Sequence, residues 1–338
     1  MVDRTVHEAA KAGDAALLRE ILPYVSREDI DATDDLDLTP LAYAVSAGHA
    51  DVIAVLLEAG ADVEREYGFG RRALHAAPTR AIARQLIEAG ASLHRLPHGA
   101  RRAIVGYPEH SSIDLLTASE PEFRSGWRRR FGTQNPEAMD DPFWIAMIRS
   151  GVGAWEAGEF FRRCSGEEPV WCADRFGQSI TLLPDGRIVE IAGEHEDFYD
   201  PDFCIYNDVF VHEPGGDVHV YGYPEDVFPP TDFHTATLLG DTIWLIGSLG
   251  YLGTREYGRT PVFALDTKSL RIERIETKGE APGWIFKHHA EAISTDAIRI
   301  TDCEIARDEN GKEVHARNDR AFVLDVRRRM WTSAPGRG

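Results

Sequence analysis

The stretch TPLAYAVSAGHADVIAVLLEAGADV, residues 39–63, spells one complete helix–turn–helix unit and decides how the N-terminal third of the chain folds. Thr39-Pro40-Leu41 opens a first helix. Threonine is a good N-cap, and proline at the first helical position gives up an N–H that would lack a helical partner anyway. Gly48-His49 makes the turn. Val52, Val55, Leu56 and Leu57 line a second helix, and Gly60 ends it with the positive φ that glycine adopts at little cost.

Two further copies flank this unit. In VHEAAKAGDAALLREIL, residues 6–22, Ala9 and Ala10 suit a tight inner helix, and Leu17, Leu18, Ile21 and Leu22 an outer one. Its Gly13-Asp14 lies 35 residues before Gly48-His49. A third copy has ALHAA at 73–77 and closes with LIEAGAS at 86–92, parallel to LLEAGAD at 56–62. Leu41 to Leu74 is 33 residues, but Leu57 to Ile87 is only 30, so three residues are missing from the turn between its helices. Pro78 falls where the first helix of this copy should end, which predicts a shortened unit.

The pattern resembles the ankyrin repeat, with its period of about 33 residues. Leu74, His75 and Ala77 match the family's L-H-x-A segment, and the resemblance covers roughly residues 4–100. It implies a helical solenoid whose units stack because none buries its apolar face alone. It also implies a protein-binding role, with contacts from exposed turn fingers and inner helices: here Asp35, Asp37, Arg65, Tyr67, Phe69, Arg71 and Arg72. Tyr67 and Phe69, flanked by glycines, are expected to be exposed, and aromatics beside arginine are the residue types that dominate interfaces. His75 is expected to bond backbone in its turn.

Length and charge bound the rest. A chain of 338 residues exceeds what one core usually serves, so more than one domain is expected. No stretch approaches about 18 consecutive apolar residues, and MVDRTVHEAAKAGD carries no apolar segment of a signal peptide, which points to a cytoplasmic protein without a membrane span. Four cysteines, at 164, 172, 204 and 303, are too few and scattered for a disulfide framework. Arginine outnumbers lysine strongly, the usage of a GC-rich bacterial genome.

The net charge of −19 is unevenly placed. Residues 1–100 carry 10 basic and 16 acidic groups, and residues 101–164 carry nine of each. Residues 167–232 set only Arg175 and Arg187 against 16 carboxylates, whereas residues 233–338 nearly balance. A surface of that sign repels phosphate backbones, so nucleic acid is excluded as a partner, and it attracts cationic proteins.

Residues 101–165 read as a helical connecting and capping region. SIDLLTAS at 112–119 is the candidate closing unit of the solenoid. PFWIAMIRSGVGAWEAGEFFRR, 142–163, is helical after Pro142 with a split expected at Gly151 and Gly153; its aromatic load suits inter-domain packing. Arg128, Arg129 and Arg130 are expected to pair with the acidic region beyond.

From residue 166 the signals change to strands. SITLLP…DGRIVEIAGE…NDVFVHEPGGDVHVYGY, FHTATLLGDTIWLIGS…TPVFALDTKSLRIERIE and HHAEAISTDAIRITDC…NDRAFVLDVRRRMWTSA share one order of elements. Each reads as four short strands joined by Asp-Gly, Gly-Asp, Pro-Gly-Gly or Asp-Thr-Lys-Ser turns. Gln178, His234 and His289 recur at 56 and 55 residues. That spacing, with FVLD before Trp331, resembles kelch blades of about 50 residues. The double glycine of that family corresponds to Gly193-Glu194, Gly247-Ser248 and Asp302-Cys303, a departure from the pattern. The fold expected is therefore multidomain α + β: ankyrin repeats at 1–100, the connecting region at 101–165, and an antiparallel, kelch-like, incomplete propeller at 166–338. Three blades fall short of the usual four to eight, so the favoured reading is an open stack capped by the helical region; the alternatives are closure between chains as an oligomer, recruitment of the 142–163 helix, or a degenerate fourth blade.

Candidate chemistry is sparse. GEHEDFYDPDF, 193–203, gathers Glu194, His195, Glu196, Asp197, Asp200 and Asp202, donors that suit a divalent cation. No calcium-loop or H-E-x-x-H spacing accompanies them, so the expectation is an exposed acidic loop that meets a cationic protein, with no metal. Asp232, His234, His288 and His289 stand at blade starts, where histidines are expected to bond strand backbone. Cys164 and Cys172, eight apart, fit neither a redox pair nor a zinc site. No catalytic set and no cofactor loop emerge. The expected function is non-enzymatic protein binding, in its specific form an acidic inhibitor or immunity-type binder of a basic protein. The alternative is a ligand- or metal-binding propeller, or an enzyme, using the channel histidines.

Overall fold

The computed structural model describes residues 2–93, 96–163, 168–196 and 203–334, and the chain divides into two units, Met1–His110 and Ser111–Gly338.

The first unit is built from helices α1 (Val2–Ala12), α2 (Ala15–Ile21), α3 (Arg27–Ile30), α4 (Pro40–Ala47), α5 (Ala50–Glu58), α6 (Arg80–Glu88) and α7 (His98–Val105). Side-chain oxygens cap several of these helices, Thr39 as expected. Thr39 Oγ1 accepts from the Ala42 N–H at 3.1 Å, Asp14 Oδ1 from Leu17 at 2.9 Å, and Thr79 Oγ1 from Ile82 at 3.3 Å. Each such cap is worth about 1 kcal/mol. Gly48 closes α4 at φ 74°, its N–H reaching Ala44 and Val45 carbonyls. Alanines 9, 10, 42 and 44 are buried on the inner helices, which lets α1 and α4 approach closely. In the third copy the inner helix shrinks to a single 3₁₀ turn, Ala73–Ala76, ended by Pro78. The helix packed on the last repeat is α7, not residues 112–119; those belong to the second unit, where the turn Ile113–Leu115 packs on the helix that starts at Pro142.

The second unit begins with α8 (Glu120–Gly126), strand β1 (Glu137–Ala138), α9 (Pro142–Ser150) and α10 (Ala154–Phe160); Gly151, at φ 70°, splits the last two. Strands then follow: β2 (Ser179–Leu182), β3 (Ile188–Ile191), β4 (Glu194–His195), β5 (Cys204–Ile205), β6 (Val209–His212) and β7 (Val218–Gly222). Next come β8 (Thr235–Leu239), β9 (Thr242–Ile246), β10 (Val262–Asp266), β11 (Ile272–Arg274), β12 (Lys278–Gly279) and β13 (Trp284–Phe286). The last are β14 (His289–Ser294), β15 (Ala297–Thr301), β16 (Cys303–Glu309), β17 (Lys312–Asn318), β18 (Ala321–Asp325) and β19 (Met330–Ala334).

Three antiparallel meanders result: β2-β3-β6-β7, extended at its edge by β1; β8-β9-β10-β11; and β14-β15-β18-β19, edged by the parallel β12. The starting strands β2, β8 and β14 lie side by side, and none of the sheets closes on itself. Val189, Ile191, Val209 and Val211 of the first meander pack against Ile243, Leu245, Phe263 and Leu265 of the second. Ile246 and Val262 of the second pack against Ile298, Ile300, Phe322, Leu324 and Trp331 of the third. At about 1.5–3 kcal/mol per large apolar side chain, these two layers hold the stack together.

The two ends of the stack are finished differently. On the far face of the first meander, Phe210 lies 5.7 Å from Trp171, which stacks on Trp144 of α9 at 4.7 Å and 6°. The Trp144 indole N–H is bonded to Gly126 O at 2.6 Å, so α8 and α9 form a fixed lid over that face. On the far face of the third meander the residues paired across strands are His289 with Thr301, Glu291 with Arg299, Ala297 with Asp325 and Val323 with Thr332. Glu291 and Arg299 pair at 2.9 Å, and a polar outer face of this kind is how stacked repeats end in water.

Backbone conformation marks the repeat. Gly177, Phe233 and Lys287 all have positive φ (62°, 46° and 49°), as do Ala192, Gly247 and Asp302 (57°, 77° and 54°) at intervals of 55 residues. Ala192 N–H bonds Asp208 O and Gly247 N–H bonds Pro261 O, each just before the third strand of its meander. The counterpart of Gly247 and Asp302 in the first meander is therefore Ala192, one position earlier than the register built on Gly193-Glu194, and Gly193 beside it also has a positive φ, 96°.

Candidate binding surfaces

In the first unit the turns between repeats form projecting fingers. Asp34 organises the first: its Oδ1 accepts from Leu36 N–H at 2.9 Å and Leu38 N–H at 3.2 Å, and its Oδ2 from the Tyr43 hydroxyl at 2.8 Å. Partial desolvation opposes ionisation, but these three donors win and hold the Asp34 carboxyl below its ordinary range. Leu36 is thereby held 70% exposed at the tip. The second finger is a tight hairpin in which Tyr67 and Arg71 exchange both backbone hydrogen bonds at 2.8 Å, with Phe69 at its tip in a left-handed conformation, fully exposed. Gly68 N–H reaches Asp37 O at 3.2 Å, so the two tips are neighbours.

Of the seven residues expected on these fingers, Asp35, Asp37, Arg65, Phe69 and Arg71 are exposed. Tyr67 is not. It is 5% exposed, because the hairpin turns its ring inward and its hydroxyl toward Arg72 O. Arg72 is also mostly enclosed: it pairs with Glu64 at 2.6 Å, and Glu64 in turn accepts from Ser92 N–H at 2.9 Å, fastening one repeat to the next. His75 accepts from the Arg72 N–H at 3.2 Å through Nδ1, the backbone role expected of it. Burial and the neighbouring Arg72 lower its pKa, which keeps it neutral for that bond. His49 reaches Lys11 O of the preceding repeat at 3.3 Å. Leu36 is the tip residue that the sequence pattern did not single out; a leucine between aspartates in a Gly-free turn carries no period to betray its exposure.

The acidic segment divides. Glu196 is exposed, and Asp197, Asp200 and Asp202 lie outside the described residues. Glu194 and His195 are buried, each only 7% exposed, contrary to the expectation of an exposed loop. They form β4, which pairs with β5 and exchanges 2.9 Å backbone bonds with Phe176, so both side chains lie within the unit. His195 Nδ1 is 3.4 Å from Cys172 Sγ. Burial pushes the Cys172, Cys204 and Cys303 thiols up to about 12, far from a nucleophile's range. Burial first, then the neighbouring Asp232, push the Glu194 carboxyl up to about 8, and Asp232 is wholly buried. Among the described residues no group of three or more His, Cys, Asp or Glu is arranged to hold a metal ion.

The deepest ionic feature is Arg175. It is bonded to both carboxylate oxygens of Asp208, to Cys172 O at 2.8 Å and to Ala192 O at 3.3 Å, and it lies over the rings of Trp171, Tyr206 and Phe210. Two of the meander-start histidines bond hydroxyl side chains. His234 Nε2 is 2.8 Å from Ser179 Oγ, and His288 Nε2 is 2.9 Å from Thr235 Oγ1, each linking one meander to the one before it. Those two hydroxyls stand two residues after the positive-φ positions Gly177 and Phe233. Burial alone pulls His234 down to about 3, so it stays neutral. The three arginines at 128–130 take separate partners: Glu168 at 3.4 Å, Ile205 O with the Tyr251 hydroxyl, and Asp141 at 2.8 Å.

Compared with known families, residues 6–96 match the model described as ankyrin repeats, in three copies. Residues 6–96 are ankyrin repeats. Among curated proteins the chain finds no match. The ankyrin fold is a non-enzymatic interaction module in its general use, so a protein partner is the coarse functional conclusion for this chain. No helix among the described residues is long and apolar enough to cross a membrane.

Proposed function

We propose that this chain is a non-enzymatic, cytoplasmic protein-binding protein of bacterial type that grips its partner with the ankyrin finger tips. The supporting observation is the pair of neighbouring apolar tips, Leu36 and Phe69, with Asp35, Asp37, Arg65 and Arg71 exposed on the same stretches. Exposed leucine and phenylalanine gain nothing for stability where they stand, whereas buried in an interface each contributes about 1.5–3 kcal/mol. In this reading Tyr67 and Arg72 hold the finger in shape and do not touch the partner.

The second unit serves as a kelch-like, incomplete propeller of three blades. The spacing of its positive-φ positions and the hydroxyl–histidine links between blades support that relation. The lid of α8 and α9 at one end and the polar face at the other support a monomeric, open stack. The excess of carboxylates at 167–232 favours a basic partner, as for an inhibitor or immunity protein that masks a cationic effector. The histidines engage hydroxyls of the fold, which favours binding over catalysis. Affinity capture at rising ionic strength tests the electrostatic part: a basic protein should be lost early, and a partner retained unchanged to high salt would overturn it.

A further inference from the structure

We propose that the groove between the first two ankyrin repeats is a docking site for an acidic, apolar segment of a partner protein, one with bulky apolar side chains flanked by carboxylates. The groove, about 480 Å³, lies among the ends of α2 and α5 and the chain that runs from α2 into α3. Sites for a small ligand or a few side chains span roughly 300–1,000 Å³, so this one is large enough. Leu22, Ile30 and Val55 make its buried floor, and Pro23, Val25 and Ala59 its more open walls. Tyr24, beside Pro23, stands 88% exposed.

The groove exists because the first repeat is longer than the second. Asp31 accepts the Asp62 N–H at 2.8 Å, so these two aspartates are neighbours in consecutive repeats. From the turn glycine to that aspartate the chain takes 18 residues in the first repeat, Gly13 to Asp31, and 14 in the second, Gly48 to Asp62. The extra length is taken up by the 3₁₀ turn Leu22–Tyr24 and by α3, and the loop they make is one side of the groove.

Charge decides which kind of segment fits. Arg19 and Arg27 line the groove and are exposed, and among the described residues neither is in an ion pair or a side-chain hydrogen bond. Arg27 Nε would stand 3.9 Å from a Cβ on Gly60, so its guanidinium lies across the end of α5. Arg19 is in the last turn of α2, where a cation suits the helix dipole, but that role needs no apolar trough beside it. Glu58 is the one carboxylate among the lining residues. The aspartates nearby in sequence serve the fold: Asp29 takes the Ser26 hydroxyl at 2.7 Å, and Asp31 the Asp62 N–H. In a unit whose charge is otherwise acidic, two unpaired guanidiniums beside a greasy floor offer forked donors to a carboxylate and repel a lysine-rich segment. The groove shares no residue with the finger tips Leu36 and Phe69, so it stands or falls apart from them.

The test is methyl NMR of the full chain, titrated with three acetylated and amidated hexapeptides: Asp-Asp-Leu-Phe-Asp-Asp, Lys-Lys-Leu-Phe-Lys-Lys and Asp-Asp-Ser-Gly-Asp-Asp. The first should shift the methyl resonances of Leu22, Ile30 and Val55 at up to about 1 mM peptide, and the other two should bind about tenfold more weakly or less. Arg19→Glu with Arg27→Glu, both exposed and so tolerated by the fold, should weaken the first peptide by about tenfold or more. Phe69→Ala should leave its affinity unchanged, which separates the groove from the finger tips. No shift from the first peptide, equal or tighter binding of the lysine peptide, or an unchanged affinity in the double arginine variant would overturn the proposal. So would methyl shifts that follow protein concentration alone, the sign of a second copy of this chain in the groove.

Discussion

Replacing Arg175 with methionine probes the joint between the first meander and its lid most severely. The substitution keeps much of the buried volume and some contact with Trp171, Tyr206 and Phe210, but it removes the guanidinium. Asp208 then retains the Trp171 indole N–H at 3.0 Å as its remaining donor, and the carbonyls of Cys172 and Ala192 lose theirs. Removing one partner of a buried ion pair costs about 3–5 kcal/mol, because the other charge stays desolvated and uncompensated. An exposed pair such as Arg124–Glu120, by comparison, is worth a few tenths of a kcal/mol at most. Urea unfolding followed by tryptophan fluorescence reads the change, since Trp144 and Trp171 sit at this joint. The double variant Arg175→Met with Asp208→Leu should recover most of the loss, because an apolar pair leaves no charge behind. A single-variant loss under about 1 kcal/mol, or a double variant no better than the single, would refute the reasoning.

Other outcomes follow from the same geometry. Phe69→Ala should leave thermal stability within about 0.5 kcal/mol of wild type, because the ring touches solvent alone; a larger loss would show that it packs. Gly247→Ala should destabilise strongly in a thermal melt, since a Cβ there would sit 2.5 Å from Ile285 O at φ 77°; an unshifted midpoint would contradict the close approach of β13 to the second meander. His234, held neutral when folded and free to protonate when unfolded, should make stability fall as pH drops from about 6.5 toward 3. His234→Gln should flatten that slope in acid titration of the melting temperature, and an unchanged slope would count against the burial of this imidazole.

How much of this was legible in the residues depended on whether the signal was local. Caps, turn glycines and alanine–leucine spacing are local, so the repeats around Thr39, Gly48 and Gly60 read directly, and so did the shortened third copy at Pro78. Tyr67 misled because glycines on either side signal a turn but not which way a ring points; a two-bond hairpin between Tyr67 and Arg71 settles that. Glu194 and His195 misled for a related reason. The stretch reads as a run of charge, and its burial arises from pairing with Cys204 and Ile205 and from the hydrogen bonds to Phe176. Asp232 takes its donors from Ser248 and Gly250, a link no spacing rule encodes.

Site-specific photocrosslinking from the finger tip tests the central claim of a partner-gripping row most directly. A benzophenone amino acid is placed at Phe69, with a second at Asp51, exposed at the start of α5, as the comparison. The account predicts a discrete heavier protein adduct from position 69 and none of that mass from position 51. No adduct at 69, or the same adducts from both positions, would contradict it.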